Sequence, residues 1–360
     1  GLAKQSAGTG PYILSERVDG GYTKMVRNEN YWREGPKVDT LTFRVVPEDG
    51  ARIAMLQTGE ADIITPVPPI QVEKIENDPN VVVKNEKGIT YRYATLNKNY
   101  TLEDGRQPFD DVRVRQAMNY AFDRSYFAEE LLHGNGVGSS VAMYPTCTAY
   151  PEAYAETLNY DLHACKSILE NAGLKDYDGD GWLEYMSAGE DATLKLIVCS
   201  DSSAKTGMCH KFAEDMASIG LKIDVQELTW DDYMTALEEG EFDMYYGEVK
   251  LRNNFDLTEL LDPEDELNYS RSTDTIYQGY LEDYLSASDA TRSSMYQSFY
   301  EHVVSRGLLI SIGFEHQEII VHRGMIRGLN ANLGNPLYDF KNWEIILDDE
   351  NTEQGEGEND

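Results

Sequence analysis

A chain of 360 residues with 41% hydrophobic residues and only 12 prolines is long enough for two domains with cores of their own, which excludes a disordered chain. The formal net charge of −33, from 64 acids against 31 lysines and arginines, excludes nucleic acid and an anionic membrane surface as partners, because phosphate contacts need clustered bases. No run approaches the roughly 18 apolar residues of a membrane span, and no secretory signal is seen.

Taken in order, the chain opens with strand-like segments at Tyr22–Asn28 and Thr40–Val46. A helix is predicted over Asp49–Thr58 with Ile53 and Leu56 inward; Gly59 stops it before a short strand at Ala61–Ile64. Pro66, Pro68 and Pro69 break the chain ahead of a short helix at Ile70–Glu76. Val81-Val-Val83 reads as a buried strand, and Tyr91-Arg-Tyr-Ala-Thr-Leu-Asn97 alternates. In Pro108-Phe-Asp-Asp-Val-Arg-Val-Arg-Gln-Ala-Met-Asn-Tyr-Ala-Phe-Asp-Arg124, Asp110 or Asp111 can cap the first amides. Val114, Ala117, Met118, Ala121 and Phe122 follow at helical spacing, so the segment is predicted as one amphipathic helix, supported by Asp111 four residues before Arg115. The segment 134–140 reads as a flexible loop, and a capped helix runs from Asp161 to Ala172 with Gly173 as its stop. Strands at Leu194–Val198, Leu221–Val225 and Phe242–Tyr246 alternate with helices carrying Met208, Phe212 and Met216 and spanning Asp231–Glu239. That order implies a largely parallel sheet with right-handed crossovers. More helix is predicted over Tyr277–Leu285 and Ala290–Val304, then an apolar run from Leu308 to Ile312. The last thirteen residues, Asp348 to Asp360, hold seven acids and no base and read as a solvated, disordered tail.

The segment Pro108–Arg124 resembles the signature of the family 5 extracellular solute-binding proteins, the dipeptide, oligopeptide and nickel receptors of ABC importers. Other pieces fall in that family's order: Gly8-Thr-Gly-Pro-Tyr12, Asn30-Tyr-Trp32 with Pro36 and Asp39, and Gln57-Thr-Gly-Glu-Ala-Asp62 upstream. Downstream are Asn159-Tyr-Asp161, Ala164, Ala172-Gly173, Ile219-Gly220, Trp230 with Tyr233, and Gly240-Glu-Phe-Asp243. The resemblance implies an α/β, two-lobed periplasmic-binding-protein-like fold of type II, cluster C, each lobe a mixed sheet flanked by helices. It places a partial lobe I at 1–98, lobe II at 99–307, a return to lobe I at 308–347 and the acidic tail at 348–360, with crossings near Asn97 and Leu308 acting as the hinge. Because family members carry an export signal and a further piece of lobe I before the Gly-Thr-Gly-Pro-Tyr motif, it also implies a chain lacking that N-terminal part. The location implied is extracytoplasmic, periplasmic or lipid-anchored at the outer face of the cell membrane. The partners implied are a small solute, a peptide above all, and ABC permease and ATPase subunits, with the chain a monomer that closes on its ligand.

Several groups are candidates for chemistry. Tyr245-Tyr-Gly-Glu-Val-Lys-Leu-Arg-Asn-Asn254 lies at the C-terminal end of a predicted parallel strand, where ligands of open α/β sheets gather; the alternative is an ordinary surface loop. In peptide-binding members of the family a carboxylate in this loop holds the peptide's amino group. Lys250 to Arg252 occupy the matching positions here, with Glu248 where an aromatic often stands. Glu248 suits an ammonium, whereas Lys250 and Arg252 suit a carboxylate or phosphate. Tyr91, Tyr93, Trp230, Tyr246 and Phe314 could wall a cleft, with Tyr91, Tyr93 and Tyr246 best placed to touch ligand, although most such rings serve as core.

Asp176-Tyr-Asp-Gly-Asp-Gly-Trp-Leu-Glu184 resembles the front half of an EF-hand loop, giving a weak, structural calcium site from Asp176, Asp178, Asp180 and Glu184. Its back half fails, because Ser187 stands where the bidentate Glu should be, and an Asp/Gly-rich β-turn is the alternative. Cys147, Cys165, Cys199 and Cys209 fit either two disulfides, in one of three pairings, or buried free thiols. His316 is the histidine to watch, but no histidine cluster supports a metal or haem receptor. Adjacent acids such as Asp231-Asp232 point apart on a helix and make no catalytic pair, and no nucleophile or phosphate-loop motif occurs. The leading function is a peptide receptor without enzymatic activity. The rivals are a receptor for an opine, an oligosaccharide or a metal chelate, a signalling or adhesion domain, and, from another class, an extracytoplasmic glycoside hydrolase.

Overall fold

The computed structural model describes residues 8–346 except 66, 102–104, 106, 188, 331–334 and 336, so the acidic tail and the turn at Pro66 lie outside the described residues. In chain order the elements are β1 (Tyr12–Val18), β2 (Tyr22–Arg27), β3 (Thr40–Arg44), α1 (Asp49–Gln57), β4 (Ile63–Ile64), α2 (Pro69–Ile75), β5 (Val81–Leu96), α3 (Val112–Ala117), α4 (Arg124–Tyr126) and β6 (Gly136–Gly138). There follow α5 (Glu152–Ala155), α6 (Leu162–Asn171), β7 (Leu174–Lys175), β8 (Glu184–Tyr185), β9 (Thr193–Cys199), α7 (Ser203–Ser218), β10 (Lys222–Leu228), α8 (Trp230–Glu239) and β11 (Met244–Lys250). The chain ends with α9 (Thr258–Leu261), α10 (Ile276–Ser286), α11 (Arg292–Ser305), β12 (Ile310–His322), β13 (Ile326–Arg327) and β14 (Glu344–Ile345).

Two compact units divide it: residues 1–88 with 317–360, and residues 89–316. The sequence reading set these borders at Asn99 and Leu308. They fall instead inside β5 and β12, strands of 16 and 13 residues that each run on from one unit into the other. The first unit holds the antiparallel sheet β1-β2-β3 and pairs β12 with β4 through Ile320 and Ile64. Its core is Ile53, Leu56, Ile64, Val72, Ile75, Val81 and Ile320, with a second cluster around Trp343. β1, absent from the sequence reading, is the outer partner of β2.

The second unit is built on a sheet in the order β10-β9-β11-β5-β12. β9 pairs parallel with β10 and with β11, as the alternation of strands and helices predicts, while β11 meets β5 antiparallel, so the sheet is mixed. Residues 136–138 are not a free loop: they form β6 against β12, Gly138 opposite Gly313. A Cβ at Gly313 would stand 2.3 Å from the Val137 carbonyl oxygen, and one at Gly138 would stand 2.8 Å from the Arg124 carbonyl oxygen. Only glycines let these backbones approach so closely.

The signature segment is likewise not one helix. α3 ends at Ala117, a 3-10 turn covers Met118–Tyr120, and Asp123 caps a new start by accepting from Ser125 and Tyr126 N–H. Asp111, not Asp110, caps α3, and its carboxylate also holds Arg113 at 2.6 Å. Arg115 turns inward and donates to the carbonyls of Phe109, Asp110 and Arg306; Arg124 donates to those of Ser311, Leu158 and Asn119. Burial pushes the Arg124 guanidinium down to about 10, which leaves it charged at neutral pH.

Cys165, Cys199 and Cys209 are buried free thiols, the second of the two alternatives the sequence offered, and not the two-disulfide one. Cys165 and Cys209 lie in the apolar core of this unit on α6 and α7, and burial pushes both thiols up, Cys165 to about 12.

Phe122 and Phe212 stack in that core at 4.4 Å between centroids, both fully buried. Phe212→Ala is expected to cost about 3–5 kcal/mol in urea unfolding, and the better-filling Phe212→Leu under about 1.5 kcal/mol. Asp243, just before β11, accepts the Lys195 N–H at 2.7 Å, yet burial outweighs that bond and pushes its carboxyl up to about 6. Its folded value therefore exceeds the unfolded value of about 3.9, so its contribution to stability is complete below about pH 4 and is lost as pH rises through 6. Asp243→Asn, which can still accept from Lys195, is expected to gain stability relative to the parent chain across this window. Unfolding midpoints at a series of pH values from about 4 to 7 check the sign.

Candidate functional site

Strand alternation decides which side chains of β5, β11 and β12 can meet. β5 and β11 pair with Arg92 opposite Glu248 and Ala94 opposite Tyr246. One face of the sheet therefore carries Arg92, Glu248 and Tyr246 and packs on the core that includes Met208 and Phe212 of α7. The other face carries Tyr91, Tyr93 and Tyr245, with Tyr91 stacked on Tyr93 at 5.4 Å and tilted on Phe314 at 5.3 Å.

Arg92 is only 5% exposed and lies between acids from the strands on either side. Its Nη2 donates to Glu315 on β12, and its Nη1 abuts the Glu248 carboxylate as an ion pair without the direction of a hydrogen bond. Lys205, in the first turn of α7, stands 3.0 Å from Glu248 and 2.9 Å from Asp201. The result is a chain of alternating charges, Asp201–Lys205–Glu248–Arg92–Glu315. It runs from the buried guanidinium out to Asp201, with Glu248 37% exposed along the way. Three carboxylates oppose two bases, so the cluster holds one negative charge in surplus. A cationic group arriving at Glu248 and Asp201 would find a partly desolvated carboxylate array already fixed in place.

The structure does not gather the sequence candidates into one site. Tyr246 and Glu248 share a face; Tyr91 and Tyr93 lie on the opposite one. All three tyrosines are buried. Tyr91 bonds Ser311 at 2.6 Å, Tyr93 approaches Tyr245 at 3.3 Å, and burial pushes the Tyr93 hydroxyl up to about 12. Gly247 is required because the Tyr93 ring covers it, 2.4 Å from where a Cβ would be. Lys250 is exposed. Arg252, 68% exposed, pairs with Glu259 at 2.7 Å. Trp230 is exposed and Phe314 is core. His316 shares a 2.7 Å hydrogen bond with Tyr144. The acids of the Asp/Gly loop do converge: one carboxylate oxygen each from Asp176, Asp178, Asp180 and Glu184 lie within 4.8 Å of one another. Arg92, Lys205, Asp201 and Glu315 were missed. The one signal for them was Arg92 itself, a charge set at the centre of an otherwise apolar run.

Removing one partner of a buried ion pair strands the other. Arg92→Met is expected to cost about 3 kcal/mol in urea unfolding, and Arg92→Met with Glu315→Gln to recover part of that loss, a coupling that a double-mutant cycle reads directly.

The sequence model for "Bacterial extracellular solute-binding proteins, family 5 Middle" matches residues 1–257. Heme-binding protein A of Haemophilus influenzae is 29% identical over 241 residues, 67% of this chain and 41% of that protein. The oligopeptide-binding protein AppA of Bacillus subtilis is 23% identical over 347 residues, 94% of this chain and 62% of that protein. The structure of AppA from Bacillus subtilis in complex with a nonapeptide superposes with a TM-score of 0.71 at 22% identity, covering 94% of this chain and 66% of that one, which shows the shared α/β fold. The chain thus spans under two thirds of the length of these relatives, whose family is one of binding proteins and not of enzymes. Among the described residues no helix is long and apolar enough to cross a membrane. With more than half its length matched by that model, the chain belongs to family 5 of the bacterial extracellular solute-binding proteins.

Proposed function

We propose that this chain is the ligand-recognising part of an extracytoplasmic receptor that takes up a peptide and passes it to the permease and ATPase subunits of an ABC importer. The observation that carries the reading is the surplus carboxylate of the Asp201–Lys205–Glu248–Arg92–Glu315 cluster, with Glu248 held by Arg92 and Lys205 and still open to water. The free ammonium of a peptide is the group that this arrangement suits. Of the two alternative anchors for an anionic solute, Arg252 is engaged by Glu259 and Lys250 stands exposed at the end of β11. A haem ligand has less support: the Nε2 of His316 is already bonded to Tyr144. Glu248 and Glu315 are both paired to Arg92, so this pair does not offer an acid and a base poised across a sugar and lends a glycosidase no support. The similarity to a protein crystallised with a nonapeptide agrees with the peptide reading. Binding makes and breaks no bond; the solute shifts the receptor between conformations by its differential affinity for them, and the receptor works as a monomer at the outer face of the membrane, in the periplasm or lipid-anchored.

Melting of the chain in pooled di- to hexapeptides, free and N-acetylated, tests this. A peptide at 100 times its dissociation constant adds about 2.7 kcal/mol to native-state stability, a readily measured shift. Free peptides are expected to shift the melting point and their acetylated forms to do so at least tenfold less effectively, with Glu248→Gln losing the preference at about a tenfold cost in affinity. Stabilisation by opines, oligosaccharides or metal chelates with silence from every peptide would overturn it.

A further inference from the structure

The loop that joins β7 to β8 runs from Asp176 to Leu183, and Glu184 is the first residue of β8, paired with Lys175. Asp176 accepts from the Gly179 and Gly181 N–H groups, Asp178 from Asp180 and Asp180 from Trp182, so each carboxylate is fixed by the loop's own backbone. These bonds account for an ordered turn. They leave Glu184 unexplained.

Glu184 is 0% exposed. Its Oε2 accepts the Tyr177 N–H at 2.8 Å, while its Oε1 is buried without a hydrogen-bond partner. A buried carboxylate oxygen with no donor costs several kcal/mol. Here it sits beside three more acids. Two lysines beside the loop have partners of their own: Lys175 lies over the Tyr177 ring, and Lys222 over Trp182 while paired with Asp191. Four acids with no ion pair to a base among the described residues, one of them desolvated, suit a cation by charge.

Its donor set favours calcium. Calcium takes six to eight oxygens at about 2.3–2.6 Å, so oxygens on one ion stand at most about 5 Å apart, whereas magnesium keeps several waters and resists an all-carboxylate cage. The four carboxylate oxygens lie within 4.8 Å of one another. The missing EF-hand glutamate at Ser187 is immaterial in this geometry: the chain enters β8 at Glu184, three residues earlier, and the buried carboxylate comes from there.

We propose that Asp176, Asp178, Asp180 and Glu184 bind a calcium ion that fastens the β7–β8 hairpin. The hairpin is part of the unit's framework. Leu174, Leu183 and Tyr185 reach into the main core, and Leu183 N–H donates to the Gly220 carbonyl after α7 at 2.8 Å. Calcium therefore acts on stability at a place separate from the charged cluster on β5 and β11.

Terbium, which takes calcium's oxygen ligands, supplies the direct probe because Trp182 sits inside the loop. Chelator-treated chain is expected to show terbium emission on tryptophan excitation. Calcium should displace it with a dissociation constant of about 10⁻⁴–10⁻³ M and raise the melting point, while magnesium at equal concentration does so at least tenfold less effectively. Glu184→Gln removes an unpaired buried charge, so it should melt no lower than the metal-free parent and lose the calcium response. The exposed Asp180→Asn gives the same loss should Glu184→Gln fail to fold. Emission and melting shift unchanged in both variants would mean diffuse binding by an acidic surface and would overturn the site, as would a parent chain indifferent to calcium.

Discussion

The candidate site depends on one buried guanidinium. Arg92 occupies a position that strand alternation turns toward the core, and its desolvation is tolerable only because a carboxylate reaches it from each neighbouring strand. The planar fork matters: one side of the guanidinium faces Glu248 and the other Glu315, a span that the single ammonium of lysine does not cover. Through Glu248 the constraint passes to Lys205 and Asp201 at the start of α7. Through Glu315 it passes to β12, whose Phe314 and His316 close on Tyr91 and Tyr144 across the opposite face.

The arginines of the signature segment solve the same desolvation problem differently. Arg115 and Arg124 bury their heads against backbone carbonyls, not acids, and tie the segment to residues far along the chain, Arg306 and Ser311. A carbonyl bears only a partial charge, so such an arginine keeps its own charge while it donates hydrogen bonds to several carbonyls at once. These residues act as fasteners for unit 89–316.

What could be read from the sequence divides along range. Elements set by local pattern were found: the cap at Asp161, the stop at Gly173, the parallel run through β9, β10 and β11. The Asp/Gly loop was found with its four acids because its carboxylates come from nine consecutive residues. Where long-range pairing decided the outcome, reading failed. The periodicity of 110–122 fits one helix, but buried Arg115 and the new cap at Asp123 break it. Residues 136–138 look like a flexible loop because their glycines serve a strand partner, β12, that lies far along the chain. The division of the tyrosines between two faces follows only from the register of Glu248 on Arg92, which neither strand reveals alone.

Net charge and sites must also be kept apart. A surplus of 33 negative charges draws cations to the whole surface, but at physiological salt each exposed acid is screened beyond about 8 Å, so that attraction is diffuse and selects nothing. Selectivity begins where a carboxylate loses water before any ligand arrives. Glu184 has lost it entirely, and its loop gathers acids at the spacing of one divalent ion. Glu248 has lost it in part and already shares two bases, so what it can add is a single, directional monovalent contact. The degree of burial thus separates the two roles we propose on one acidic surface: a cage for a metal ion, and a half-open anchor for an ammonium group.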